Sequence, residues 1–225
     1  MHPIANDLSF MGKWLSLFML LLAFGIYSYK SYKIAAPASG SLNGYGQPAT
    51  TIKAAPGNRY KPGAARLLAI KERIRKQGLN PSLVFLIDMQ QPSSRKRFFV
   101  YDLRLDTVIA SGLVTHGRCN ERWLEGRRYS NEAGSRCTSL GDYKIGKSYQ
   151  GTFGLAYKLY GLDSSNSNAF ERFVVLHAHA CVPEKEVDYE ICQSDGCPTV
   201  SDGFLKTLQP VIDTASQPIL LSIFD

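Results

Sequence analysis

The sequence contains no internal repeat and no long run of basic residues, although its formal net charge is +7. The lysines and arginines are scattered, and the densest groups, Arg95–Arg97 and Arg127–Arg128, are short. This distribution indicates an ordinary solvated basic surface, with attraction to an anionic polymer as the alternative. Nucleic acid is therefore not an expected partner.

The histidines and cysteines also lack the pair spacings of common zinc sites, C-x2-C and H-x3-H. His177, His179 and Cys181 could still lie on one face of a strand. Cys192 and Cys197 follow them, so a tetrahedral zinc site is one alternative. Thiols outside the cytoplasm more often form disulfides than bind zinc, so we expect neither a metal nor a cofactor.

An odd number of cysteines in an exported chain leaves at least one thiol unpaired. Cys119 and Cys137 are close enough in sequence to close a local loop, and so are Cys181 and Cys192. Other pairings of these cysteines stay open on sequence alone. The local pairing predicts two disulfides, which fit an oxidising compartment outside the cytoplasm, and it leaves Cys197 free.

One long apolar run, Trp14–Tyr29, lies between lysines near the N-terminus. As a helix it would be roughly 24 Å long, and snorkelling and tilting could fit it to a hydrocarbon core of about 30 Å. We interpret residues 1–33 as an uncleaved signal anchor, with a cleaved signal peptide as the alternative. Residues 34–63, rich in proline, glycine and alanine, are expected to form a flexible linker, and residues 64–225 the folded domain.

The pattern of this domain predicts a mainly β fold with a few short helices. One apolar stripe predicts a helix from Ala64 to Gln77, stopped by Gly78. Another predicts a helix from Ser201 to about Asp213. Many short segments rich in β-branched and aromatic residues favour a β-sandwich or barrel. The predicted strands are Leu83–Met89, Arg97–Leu103, Val108–Thr115, Tyr143–Gly146, Leu155–Leu162, Phe173–His179 and Ile219–Phe224.

Cys197 lies in a turn sequence, Ser194–Pro198, that suits a nucleophile. Gly196 permits a sharp turn and the proline fixes the backbone after the thiol, so the turn can expose the side chain. The turn can also direct the N–H groups of Cys197 and of Gly196 or Asp195 toward a developing oxyanion. The alternative is a buried cysteine that packs as a small hydrophobe.

A thiol with a pKa of about 8.5 needs a base or a positive neighbourhood to react at neutral pH. His177 follows the apolar run Val174–Leu176, and His179 lies two residues further, so both can project from one strand face. We prefer His177 as the base because its place at the end of a buried run makes it rigid and partly buried. Together, Cys197 and His177 are a minimum set for acyl transfer through a thiol.

Several motifs occur in an order that resembles the murein L,D-transpeptidase catalytic domain family, the YkuD-like proteins. The resemblance is closest to the subgroup with the nucleophile in a Ser-x-Gly-Cys-Pro sequence, and it covers about residues 83–225. The matching stretches are Leu113–Gly117, Ser130–Asn131, Gly134–Ser135, Ser139–Tyr143, Tyr149–Gly151, Tyr160–Leu162, Glu171–Arg172 leading to His177, and Ser194–Val200.

The resemblance implies a β-rich fold and a cysteine acyl transferase, with Cys197 as nucleophile and His177 as base. The implied donor is a peptidoglycan stem tetrapeptide, cut before its terminal D-alanine, and the thioester then passes to an amine. It also implies a bacterial, periplasmic or extracytoplasmic protein, held at the inner membrane by its anchor or secreted. The alternatives are an L,D-carboxypeptidase, which hydrolyses stem peptides, and a non-catalytic module that binds the cell wall.

The chain departs from the wider family at three positions: Asp195 replaces a histidine, Ala178 follows the base, and Thr199 follows the nucleophile by two residues. Ser194, Asp195, Gly196 and His179 are candidate supporting or substrate-binding residues. Tyr143, Arg172 and His116 are further candidates. For these last three, a core tyrosine, a surface arginine and a structural histidine are the alternatives.

Overall fold

The computed structural model describes residues 60–225 of the chain. The predicted signal anchor, residues 1–33, and nearly all of the predicted linker lie outside the described residues, and both stay predictions. Across residues 60–225, none of the helices has the length and apolar character needed to cross a membrane.

Two α-helices form in this part of the chain where the apolar stripes predict them. The first, α1, spans Ala64–Gln77 and ends at Gly78, which adopts the left-handed conformation with φ of 61°. The second, α2, spans Asp202–Asp213, and its N-cap Ser201 accepts a hydrogen bond from an N–H of the first turn. Both predicted helices are confirmed.

Within residues 60–225, eight strands form one mixed sheet, which confirms the mainly β fold. They are β1 (Leu83–Asp88), β2 (Phe98–Asp102), β3 (Thr107–Gly112), β4 (Gly141–Gly151), β5 (Gly154–Gly161), β6 (Val175–Ala178), β7 (Thr199–Val200) and β8 (Leu220–Phe224). Their order across the sheet is β3-β2-β1-β8-β4-β5-β6-β7. The β1–β8 and β6–β7 pairs are parallel, and the other pairs are antiparallel.

The strands β4 and β5 form a longer hairpin than the sequence predicts. The apolar pattern ends at Gly146, but β4 continues to Gly151 through residues whose side chains are mostly exposed. Because these residues bury nothing, they carry no alternating pattern from which a strand could be predicted. Backbone pairing with β5 holds them in the sheet.

The strands that carry the candidate site also differ from the expectation. The predicted strand Phe173–His179 is shorter, because Phe173 has a positive φ of 57° and β6 begins only at Val175. It ends at Ala178, so His179 lies just beyond it. At the far edge of the sheet, β7 was not predicted, since two residues are too short to show periodicity. Likewise β3 ends at Gly112, before the predicted limit.

The inner strand β1, between β2 and β8, is buried on both faces. Phe85 belongs to a large apolar cluster that includes Phe204 of α2. Val84 belongs to a second cluster, which includes Ile70 of α1. Because successive side chains of a strand point to opposite faces, the two helices cover opposite sides of the sheet.

The same alternation places the candidate base on the face opposite α2. Leu176 of β6 belongs to the cluster on the α2 side, so its neighbours His177 and Val175 point the other way. His177 pairs with Thr199 of β7, and Val175 pairs with Lys158 of β5. We call this side of β4–β7 the outer face.

Candidate active site

The free thiol, Cys197, lies on the turn that leads into β7, and its side chain is half-buried. The preceding Gly196 has a φ of 108°, and a Cβ there would lie 2.7 Å from the Cys137 carbonyl oxygen, so the turn requires glycine. The Cys197 Sγ accepts a hydrogen bond from the Val175 N–H at 3.4 Å and contacts the Phe173 carbonyl at 3.8 Å. The backbone of Phe173–Val175, which leads into β6, thus contacts the thiol, and we call this segment the seat of the thiol.

Hydroxyl groups fix the backbone of this turn. The Ser194 Oγ donates to the Cys197 carbonyl at 2.7 Å, and it accepts from the Gly196 N–H at 3.2 Å. The Oγ1 atoms of Thr115 and Thr199 lie 3.3 and 3.4 Å from the same Cys197 carbonyl oxygen. The predicted supporting residues Ser194 and Gly196 therefore act on the backbone of the turn rather than on the thiol.

The ring of His177 is buried, with 6% of the residue exposed, and both ring nitrogens have partners. Nδ1 lies 3.0 Å from the Ala178 carbonyl oxygen, which can only accept, so Nδ1 carries the hydrogen. Nε2 of the neutral ring then accepts from the Thr199 hydroxyl at 3.1 Å. Among the described residues no hydrogen bond joins this ring directly to the Cys197 thiol, and Thr199 contacts both residues.

Burial sets the protonation of the two groups. It raises the pKa of the Cys197 thiol, an effect that the Val175 N–H and Arg172 oppose and that Asp195 reinforces. Burial also lowers the pKa of His177. Around neutral pH the resting pair is therefore a neutral thiol and a neutral imidazole rather than an ion pair.

Arg172 ties a neighbouring loop to the seat of the thiol. Arg172 is half-buried. It directly precedes Phe173, whose carbonyl contacts the Cys197 Sγ. Its guanidinium donates to the carbonyls of Ser130 (2.9 Å) and Cys137 (2.6 Å) and to the hydroxyls of Ser135 (3.3 Å) and Ser139 (3.2 Å). The side chain thus brings a positive charge to the thiol while being held on several sides.

Asp195 lies in the turn but points toward two arginines. One oxygen accepts from the Arg118 Nε at 2.6 Å, and the other lies 3.8 Å from the Arg136 Nε. Its carboxylate remains 59% exposed. Asp195 is therefore an ion-paired carboxylate at the rim of the turn.

The candidates Tyr143 and His116 lie behind the site. The Tyr143 hydroxyl is buried and hydrogen-bonds Ser139, which also contacts Arg172. The His116 Nδ1 lies 3.1 Å from the buried Arg97 guanidinium, and the His116 carbonyl accepts from the Ser194 N–H at 2.9 Å. Neither side chain hydrogen-bonds Cys197 or His177 in residues 60–225.

His179 is exposed, and its Nδ1 accepts from the Cys181 N–H at 3.1 Å. Phe153, at the tip of the β4–β5 hairpin, stacks on the His177 ring with 4.8 Å between ring centroids. It meets the His179 ring edge-on at 5.9 Å. The sequence carries no signal for this contact, because it depends on where the hairpin tip lies.

The structure contains the Cys119–Cys137 and Cys181–Cys192 disulfides, which is the pairing expected from the sequence. Both members of the second bridge belong to the zinc alternative, and their sulfurs are committed to each other. Across the described part of the chain, no group of three or more histidine, cysteine, aspartate or glutamate side chains could hold a metal ion.

Several contacts of the site could not be expected from the sequence. The Val175 N–H, the Thr115 hydroxyl and the Phe153 ring reach the thiol turn or the imidazole only through the fold. The Thr199 hydroxyl reaches His177 because β6 and β7 pair in parallel at these two residues. For these contacts, the sequence shows no more than the turn that carries Cys197.

The L,D-transpeptidase catalytic domain family matches residues 60–221 of the chain. No curated protein matches it.

Among solved structures, the chain is similar to an L,D-transpeptidase from Xylanimonas cellulosilytica, with 16% identity, a TM-score of 0.37 and coverage of 68% of both chains. An L,D-transpeptidase from Mycobacterium smegmatis is 12% identical, with a TM-score of 0.39 over 64% of this chain and 59% of that one. The helical cell shape determining protein Pgp2 from Campylobacter jejuni is 11% identical, with a TM-score of 0.39 over 64% of this chain and 48% of that one. Since the family match spans most of the sequence, the chain belongs to the L,D-transpeptidase catalytic domain family.

Proposed function

We propose that this protein is an L,D-transpeptidase that forms a thioester between Cys197 and a peptidoglycan stem peptide and transfers the acyl group to an amine. The observation that carries the proposal is the single free thiol of the described residues, held on a glycine turn beside the strand that bears His177. Family membership supports the reaction class.

In the first half-reaction, His177 Nε2 takes the proton of the Cys197 thiol. The resulting thiolate attacks the carbonyl carbon of the residue before the terminal D-alanine, and the carbonyl π pair moves to oxygen. When the oxyanion collapses, the C–N bond breaks and the D-alanine nitrogen takes the proton from His177. For this proton transfer, the His177 Nε2 lone pair must be released from the Thr199 hydroxyl, and the thiol hydrogen must turn away from the Phe173 carbonyl.

In the second half-reaction, an uncharged amine attacks the thioester carbonyl. His177 takes a proton from the attacking nitrogen, and the C–S bond breaks to release the thiolate, which recovers its proton from His177. The product is a new amide, and the energy of the original peptide bond is conserved through the thioester. We propose the side-chain amine of a second stem as the acceptor, with a lipoprotein or a D-amino acid as further amines of the same class.

The N–H groups of Cys197 and Asp195 are the proposed oxyanion donors. Neither has a hydrogen-bond partner among the described residues, whereas the Gly196 N–H is already bonded to the Ser194 hydroxyl. The glycine between them reverses the direction of the backbone with its positive φ. Such preorganised donors stabilise the negative oxygen without any rearrangement during the reaction.

We further propose that the protein works outside the cytoplasm of a bacterium, in the periplasm, held by residues 1–33 at the inner membrane or secreted. Two disulfides in the described domain support an oxidising compartment. The scattered positive charge suits a wall polymer that is rich in carboxylates.

A β-lactam of the carbapenem class tests the nucleophile without a purified substrate. We expect the wild-type protein to gain the mass of one carbapenem, and the Cys197→Ala protein to gain none while keeping its circular dichroism spectrum. An adduct that persists on Cys197→Ala would refute the assignment of the nucleophile.

Incubation with purified stem peptides then separates transfer from hydrolysis. Crosslinked dimers are the product expected of a transpeptidase, and trimmed stems without dimers are the product of a carboxypeptidase. A non-catalytic wall-binding module would give neither product, and its Cys197 would not react in a thiol titration of the native protein.

A further inference from the structure

A lysine lies one strand away from the seat of the thiol. Lys158 of β5 pairs directly with Val175 of β6, whose N–H bonds the Cys197 Sγ. Paired residues of neighbouring strands share a face and lie about 5 Å apart. Lys158 therefore extends from the outer face, on the same side as His177.

Aromatic rings hold this lysine and a second one in place. The Lys158 Nζ lies 5.7 Å from the centroid of the Tyr149 ring and 5.4 Å from that of Phe170. The Lys144 Nζ lies 5.1 Å from the centroid of Tyr160, which itself stacks on Phe170 at 5.0 Å. Contacts of this kind orient an ammonium group without using its hydrogen-bond donors.

These ammonium groups have no carboxylate of the described chain as partner. Lys144 and Lys158 are half-buried, and the ammonium group of neither forms a hydrogen bond or an ion pair within residues 60–225. By contrast, the cationic residues around Asp195 and Glu121 are ion-paired. Two oriented, partly desolvated cations on the outer face, one of them paired with the strand that contacts the Cys197 thiol, form a site that is complementary to negative charge.

We propose that Lys158 and Lys144, framed by Tyr149, Tyr160 and Phe170, bind carboxylate groups of the acyl donor. This inference rests on the proposed function, since the donor is taken to be an acidic stem peptide that reacts at Cys197. The three aromatic rings flank the backbone of the bound stem peptide, and the two ammonium groups bind the carboxylates along its length.

The charge also bears on where the reacting amine of the acceptor approaches. That amine is mostly an ammonium ion in water, and neighbouring lysines repel it even where the rest of an acceptor stem carries carboxylates. The reacting end of the acceptor therefore approaches Cys197 from another side.

Equilibrium binding separates this inference from the chemistry. Calorimetry is carried out with full-length Cys197→Ala protein, which cannot be acylated, and two probes: a stem tetrapeptide and the same peptide with all carboxylates converted to carboxamides. We expect the acidic peptide to bind about five- to tenfold more tightly, as a partly buried ion pair allows. Adding Lys158→Met and Lys144→Met should remove the difference while keeping the aliphatic contacts.

The matched control is Lys206→Met on α2, an exposed lysine on the opposite side of the sheet. It should keep the full preference for the acidic peptide. Equal binding of the two peptides to Cys197→Ala protein, or a preference that survives both lysine substitutions, overturns the inference. Failure of the proposed function shows separately, as the absence of a thioester on wild-type protein by intact mass.

Discussion

The thiol of Cys197 is held in a setting that favours its neutral form. Burial raises its pKa, and the Val175 N–H and Arg172 only partly offset this. Because the folded protein stabilises the protonated thiol, the thiolate fraction at neutral pH is smaller than that of a free cysteine. In the proposed mechanism, reactivity therefore depends on proton transfer to His177 once substrate is bound, and not on a resting thiolate.

The rate of alkylation by iodoacetamide should show this raised pKa. The other cysteines of the chain are in disulfides, so labelling reports on Cys197 alone. We expect the rate to keep rising about tenfold per pH unit past the ordinary thiol pKa of about 8.5. Arg172→Gln should slow the reaction at pH 8, because it removes a charge that stabilises the thiolate, and Arg172→Lys should slow it less. A rate that levels off below pH 8 in wild-type protein would contradict this.

The Thr199 hydroxyl donates a hydrogen bond to the lone pair of His177 Nε2, and we expect it to fix the orientation of the ring. Thr199→Val leaves a buried nitrogen without a partner, and we expect it to lower the free energy of unfolding by about 1–2 kcal/mol. It should also slow carbapenem acylation about tenfold and change the pH dependence of that rate, since the ring loses its fixed orientation. Thr199→Ser should restore both properties. Equal rates and pH profiles for the two variants would show that the hydroxyl has no part in positioning the base.

At the level of structural elements, the disulfides brace the two segments around the thiol turn. The Cys119–Cys137 bridge closes a loop whose residue 137 accepts a hydrogen bond from Arg172 and packs against Gly196. The Cys181–Cys192 bridge closes part of the connection between β6 and β7 and lies farther along the chain from these contacts. The first bridge should therefore be tied more closely to the geometry of Cys197.

Replacing each cysteine pair by serine tests this difference. Each double variant should lose about 2–4 kcal/mol of unfolding free energy, as expected for loops of this size. Urea unfolding shows whether each variant is folded without urea, and carbapenem acylation is then measured in that urea-free buffer. We expect the folded Cys119→Ser/Cys137→Ser protein to lose acylation. The Cys181→Ser/Cys192→Ser protein serves as the matched control and should keep most of its acylation rate. The reverse order of effects would contradict the assignment.

The sequence predicts the elements with an apolar pattern well and those without one poorly. The stripe of α1 and the β-branched run of β1 are visible because they bury residues at a regular period. The exposed half of β4 and the two residues of β7 bury little or are too short, so only strand pairing defines them. The contact between His177 and Thr199 in the candidate site depends on that pairing.

The same limit applies to the residues of the site. The free thiol of Cys197 on a glycine turn could be predicted because the turn sequence and the local pairing of the other cysteines are visible in the chain. The pairing of His177 with Thr199 could not, since it follows from the register of β6 and β7. The four-fold anchoring of Arg172 likewise depends on a loop that folds back from more than thirty residues away.

For the whole molecule, a buried pair of basic groups links stability to pH. Burial, with the nearby Arg97 charge, lowers the pKa of His116 to about 4, below its unfolded value of about 6.5. Between these pH values the unfolded chain binds more protons at His116 than the folded one. The contribution of this residue is therefore complete above pH of about 6.5 and is lost as the pH falls toward 4.

Urea unfolding of wild-type and His116→Asn protein from pH 4 to 7.5 isolates this effect. The asparagine keeps an acceptor for Arg97 and does not titrate. The stability difference between the two proteins should change by up to about 3 kcal/mol over this range, in the direction that penalises wild type at low pH. A difference that does not vary with pH would show that His116 is not a buried neutral ring.

Intact mass spectrometry of the full-length protein with purified stem tetrapeptide shows whether Cys197 carries the acyl group of a stem peptide. Wild-type protein should gain the mass of the tetrapeptide less D-alanine, free D-alanine should appear, and Cys197→Ala protein should show neither. The same adduct on Cys197→Ala protein, or its absence from wild-type protein whose thiol is intact, would show that Cys197 is not the nucleophile.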